Sequence, residues 1–62
     1  MNMHIADIRE AQFLVERALR SSSRAKVAEK LGWSIYMIDK MRDGKVNSWQ
    51  LHQLREALND SE

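Results

Sequence analysis

Only three residues, Gly32-Trp33-Ser34, separate two stretches of helical periodicity, and this short link constrains the fold more than any other feature. Before it, Val27, Ala28 and Leu31 recur at helical spacing; after it, Ile35, Ile38 and Met41 do the same. So short a link cannot fold two helices back as a long antiparallel hairpin, so the pair turns a corner. The link also carries the right punctuation. Gly32 can take the left-handed conformation that ends a helix, and Ser34 can cap the next one. Ser23 is placed to cap the helix before it.

Two further helices flank this pair. Ile5, Ile8, Val15, Ala18 and Leu19 predict a first helix over about residues 4–20, with Phe13 and Leu14 broadening its apolar face. The run Ser21-Ser22-Ser23 ends it, because serine hydroxyls compete for backbone hydrogen bonds. The corner pair spans about 24–31 and 35–43, and Asp43-Gly44 closes it. A fourth helix starts at Asn47 or Ser48; Asn47 followed by Gln50 has capping-box form, and Ser48 is a candidate cap. Leu51, Leu54 and Leu58 form its buried stripe. Strand signals are absent: there is no Pro, no alternating β-branched run and no two-residue hairpin turn between apolar segments. The expected fold is all-α, a compact bundle of about four short helices in one domain over 1–62, with a helix-turn-helix at about 24–43 and a frayed polar tail at 59–62.

A chain of 62 residues buries only about 60% of its unfolded surface, so its core is marginal and a partner subunit would help it. There is no Cys, which removes disulfides, zinc ribbons and thiol nucleophiles. His4 and His52 have no ligand-spaced companions, so no metal is expected. The apolar runs are too short for a membrane span or a signal-peptide core. No nucleophile–base set and no Gly-rich phosphate loop is visible, so the chain is not expected to be an enzyme or to need a cofactor.

The net charge is only +1, but it is unevenly spread. Residues 17–45 hold eight basic side chains (Arg17, Arg20, Arg24, Lys26, Lys30, Lys40, Arg42 and Lys45) against Glu29, Asp39 and Asp43, a sum of +5. Each flanking segment sums to −2. A basic middle between acidic ends fits a polyanion, although a solvated charged surface gives the same count.

The stretch Val27-Ala28-Glu29-Lys30-Leu31-Gly32, followed by Ser34 and Ile38, resembles the helix-turn-helix of the lambda Cro and phage-repressor family. The resemblance continues through Asp43-Gly44-Lys45, a short loop, and Leu51, Leu54 and Leu58, and so covers about residues 22–58. It implies a DNA-binding transcriptional regulator of phage or bacterial type, working in the bacterial cytoplasm, most simply a repressor. It also implies that the third helix enters the major groove, with Ser34, Ile35, Tyr36, Asp39 and Lys40 where the family reads bases. The family often has Gln, Asn or Ser where Ile35 and Asp39 stand, so the bases read are left open.

Phosphate contacts are expected from Ser22, Ser23, Arg24 and Lys26 at the start of the second helix, whose free amides favour anions, and from Lys45, Asn47 and Ser48 at the start of the fourth. Ser23, Ser34 and Ser48 are caps first and DNA contacts second. Asp39 can pair instead with Lys40 or Arg42, and Arg42 with a neighbouring acid. Trp49 is read first as a half-buried core residue and second, with His52, as part of a homodimer contact, weak or formed only on DNA. Two other readings compete. One is an excisionase-like architectural factor, disfavoured by the lack of strand signal after Val46. The other is a helical protein-interaction module, antirepressor or antitoxin, which Asp39 and the small net charge favour.

Overall fold

In a computed structural model, which describes residues 4–58, the chain is an all-α bundle. Its helices are α1 Ile5–Leu19, α2 Arg24–Leu31, α3 Ile35–Arg42 and α4 Ser48–Leu58, and no strand occurs among the described residues. The expected tail at 59–62 lies outside the described residues.

The corner is built by two successive devices. Ser23 accepts a hydrogen bond from the Lys26 amide and caps α2; Ser34 accepts one from the Met37 amide and caps α3. Between them Gly32 sits at φ 75°. Its N–H donates to the Glu29 carbonyl at 3.2 Å, and the Trp33 N–H donates to the Ala28 carbonyl at 2.8 Å. This pair of bonds is a Schellman motif, which satisfies two carbonyls that the helix end would otherwise leave without donors. The same motif recurs at the end of α3. Gly44, at φ 92°, donates to Met41, and Lys45 donates to Lys40. A Cβ at Gly44 would stand 3.6–3.7 Å from Gln12 and Ile8 on α1, whereas one at Gly32 would meet open space.

Each helix contributes to one cluster of buried side chains: Ala11, Leu14 and Val15 from α1; Val27 and Ala28 from α2; Ile38 and Met41 from α3; Leu51 and Leu54 from α4. No polar side chain among the described residues is buried. Helix α1 packs on the other three, and α2 packs on α3 and α4. Helix α3 rests on α1 and α2 alone, so its remaining side is open.

Four expected apolar positions, Ile5, Phe13, Ile35 and Trp49, lie outside this cluster and are exposed, Trp49 at 58%. Helical geometry gives the reason for the two aromatic residues. At about 100° per residue, Trp49 lies roughly 140–200° round α4 from Leu51, Leu54 and Leu58, and Phe13 is at least about 100° from Ala11, Leu14 and Val15. Each therefore falls off the buried stripe. The Arg17 guanidinium instead stacks 5.7 Å from the centre of the Phe13 ring.

Side chains of α1 reach the other helices. Glu10 accepts from Arg55 of α4 in a two-pronged pair, Nε to Oε2 at 2.8 Å and Nη2 to Oε1 at 2.7 Å. Glu16 accepts from Arg42 of α3 at 2.9 Å, and the Gln12 amide donates to the Arg42 carbonyl at 3.0 Å. Arg17 donates to the Leu58 carbonyl at 3.2 Å. Hydrogen bonding from Arg55 holds the Glu10 carboxyl below its ordinary value of 4.5; desolvation opposes this in part, and the guanidinium charge adds to it.

Ile38→Ala should cost about 2–5 kcal/mol, because it opens a cavity where three helices meet. Urea unfolding followed by circular dichroism measures this, and a loss below about 1 kcal/mol would place Ile38 outside the core. The lowered Glu10 value makes a second prediction. A carboxyl depressed in the folded state contributes stability above its unfolded value, and that contribution fades as pH falls through the folded one. Thermal midpoints should therefore drop as pH is lowered below 4.5, and Glu10→Gln should flatten that drop. Parallel pH profiles for the two proteins would refute the assignment.

Candidate nucleic-acid interface

The open side of α3 carries the residues expected to read bases. Ile35 and Tyr36 are exposed, at 41% and 68%, and Asp39 and Lys40 are half-buried one turn further on. Ser34 is exposed at the head of the helix. Its hydroxyl oxygen is occupied by the cap, but the O–H remains a free donor. The Lys40 ammonium lies 5.4 Å from the centre of the Tyr36 ring, a cation–π distance that draws the two side chains together.

Concavities flank this face. One is lined by Tyr36, Met37, Lys40, Lys45, Val46, Asn47 and Gln50, which joins two expected base readers to two expected phosphate ligands. A second is lined by Leu19, Arg20, Ser22, Ser23, Arg24 and Arg42 together with Glu16. Lys26 parts from Arg24. It lines a third hollow with Arg17, Ser21, Ser22 and Lys30 over an apolar floor of Leu14, Val27 and Leu58. The expected phosphate set is thus divided among three places. Arg20, Met37 and Gln50 join it without having been singled out; Arg20 was visible only as one charge in the basic middle.

Two ion pairs alter the charge count. Arg42 is paired with an acid, but with Glu16 of α1, 26 residues away, and not with a neighbour in the sequence. Asp39 pairs with neither Lys40 nor Arg42 but with Arg24, across the corner from α3 to the first residue of α2. The Arg24 Nη1 donates to both carboxylate oxygens, at 2.8 and 2.7 Å. Both side chains are about half exposed, so the pair contributes little to stability, on the order of 0–1 kcal/mol. Among the described residues Arg20, Lys26, Lys30 and Lys45 make no ion pair.

No family model matches the chain, and neither the curated proteins nor the solved structures give a match.

At α4 the expected cap on Ser48 is displaced by one residue. Asn47 Oδ1 accepts from the Gln50 amide at 2.8 Å, and the Gln50 side chain accepts from the Asn47 amide at 3.0 Å. This reciprocal capping box makes Asn47 the cap and Ser48 the first helical residue. Asn47 keeps its side-chain NH2 for an anion. Trp49, beside it, faces outward with its ring centre 6.2 Å from that of Trp33. His52 is exposed too and lies 3.6 Å from Glu56 one turn along.

Asn47→Ala should cost about 1 kcal/mol through the lost cap, whereas Ser48→Ala should be close to neutral. Thermal unfolding of the two variants separates the positions, and equal losses would contradict the capping assignment.

Proposed function

We propose that this protein binds double-stranded DNA through a helix-turn-helix made of α2 and α3, as a sequence-specific transcriptional regulator of phage or bacterial type. The observation that carries this reading is the open face of α3, with Ile35 and Tyr36 exposed and Lys40 half-buried between concavities that hold Arg20 on one side and Lys45 and Asn47 on the other. A short helix held at its back by two others, with basic groups to either side, has the form that enters a major groove. Lys40 donates to a guanine edge, Tyr36 to a base or phosphate, and Ile35 packs on a thymine methyl. Ser22, Ser23, Arg24 and Lys26, together with Lys45, Asn47 and the Ser48 hydroxyl, hold the backbone. The simplest mode of action is repression, in which the bound protein excludes polymerase from a promoter.

A second copy completes the reader. In this reading Trp49 and His52, with Trp33 alongside, form the contact between two copies, which sets recognition helices about 34 Å apart on an inverted repeat. The exposed Trp49, which lies near the half-buried Trp33, also favours a second reading, a module that docks on another protein. Salt separates the two readings, because phosphate binding loses orders of magnitude in affinity between low and moderate ionic strength.

Selection of bound duplexes from a random pool tests the proposal. It should recover an inverted repeat, and no salt-sensitive recovery at all would move the function to the protein-docking reading. On the recovered site, Lys40→Ala should weaken specific binding by about 1–3 kcal/mol. Lys45→Ala should weaken all duplexes alike and reduce the salt slope by about one. An unchanged specific affinity for Lys40→Ala would exclude this face of α3 as the reader.

A further inference from the structure

The ion pair between Arg24 and Asp39 joins the head of α2 to the reading face of α3, and its geometry leaves a defined remainder. One guanidinium nitrogen, Nη1, serves both carboxylate oxygens. The opposite edge, Nε with Nη2, makes no hydrogen bond among the described residues. That edge is a rigid two-donor fork, the shape that matches the O6 and N7 acceptors of guanine. It also matches a phosphate in shape, so charge must decide between them.

Charge favours the base. Asp39 cancels the charge of Arg24, so the pair as a whole attracts an anion weakly. On the Asp39 side the hollow is lined by Glu16, Asp39, Arg42 and Asp43, three carboxylates against one guanidinium that is already paired with Glu16, whereas the hollow that Arg24 itself lines holds Arg20 and Arg42 with Glu16. A phosphate approaching from the Asp39 side, where the pair faces α3, meets repulsion, whereas a guanine edge is neutral and offers the same acceptors. Burial adds to the argument. Arg24 and Asp39 are each about half exposed, so the pair is open to a groove and is not required to hold the core.

We infer that Arg24 is a base reader that takes a guanine through Nε and Nη2, and that Asp39 is the positioning residue that aims it. This inference rests on the DNA-binding reading and changes one part of it, because Arg24 moves from the backbone contacts to sequence discrimination. Asp39 then has two effects. It fixes the rotamer of Arg24, and it keeps that arginine from binding phosphates indiscriminately.

The test is sequence selection from a random duplex pool, run in parallel with the parent protein, Arg24→Lys and Asp39→Ala, with folding of each checked by circular dichroism. The parent should select a motif with a guanine at one fixed position of each half-site. Arg24→Lys keeps the charge but loses the fork, so preference for that guanine should fall roughly tenfold or more while non-specific affinity stays within about twofold. Asp39→Ala should lose the same preference and bind non-specific duplex several-fold more tightly, with a salt slope steeper by about one. A merely structural ion pair would leave the motif unchanged in both variants, and that result overturns the inference while the DNA-binding reading stands. A loss of affinity in Arg24→Lys that is equal for all sequences would return Arg24 to the backbone and also overturn it. If the parent shows no salt-dependent duplex binding, the DNA-binding reading fails and the inference fails with it.

Discussion

The Trp33 amide donates to Ala28 and the Gly32 amide to Glu29, and these two bonds close α2 with a left-handed step. Everything on the open face of α3 depends on that step. It uses one residue where a Cβ would cost about 1–2 kcal/mol, and Gly32 has none. It turns the chain sharply enough that Ser34 can start a new helix two residues later. Trp33, the residue just past the glycine, then packs on the edge of the core, the apolar contact that often accompanies this motif. With a longer link, the angle between α2 and α3 would be set by packing alone. With this one, backbone hydrogen bonds restrict it before side chains pack.

Helix α1 fixes what the corner leaves free. Like α2 it packs on all the others, and its polar side chains close on the far ends of α3 and α4. Gln12 and Glu16 both reach Arg42 at the end of α3, one to its carbonyl and one to its guanidinium. Arg17 reaches the last described carbonyl of α4. Exposed pairs of this kind are worth little individually, so their role is positional more than energetic. The hydrophobic cluster supplies the stability, and the polar ties restrict how α3 can slide or roll on it. The approach of Gly44 to Gln12 and Ile8 shows how closely the end of α3 is seated on α1.

Local features of the sequence translated well, and long-range ones did not. Ser23, Ser34, Gly32, Gly44 and the Asn47–Gln50 box each act within five residues, so their chemistry is legible in order along the chain. Val27 and Ala28 of α2 and Ile38 and Met41 of α3 are legible as core for the same reason, while Ile35 of the α3 stripe lies exposed at its rim. Phe13 and Trp49 are large and apolar yet exposed, because the helical angle to the buried stripe decides burial. The ion pairs Glu10–Arg55, Glu16–Arg42 and Arg24–Asp39 span 45, 26 and 15 residues, and nothing in local spacing encodes them. The candidate interface was therefore legible as a set of exposed side chains on α3, but not as an electrostatic surface.

That difference bears on affinity. The basic middle of the chain carries a sum of +5, yet Arg24 and Arg42 are already neutralised by acids within the molecule. Arg20, Lys26, Lys30 and Lys45 make no such pair, and they lie in different hollows, not in one stripe. Counterion release grows with the number of phosphates neutralised, at about 0.9 in the salt slope for each. On the proposed reading, so few well-placed cations in a single copy would give only weak duplex binding without sequence recognition. Two copies on one duplex double the count, and the first brings the second to a high local concentration. In the proposed reading, few free cations and self-paired arginines are therefore a reason to expect selectivity, because non-specific attraction is kept low enough for the side chains of α3 to decide where the protein stays.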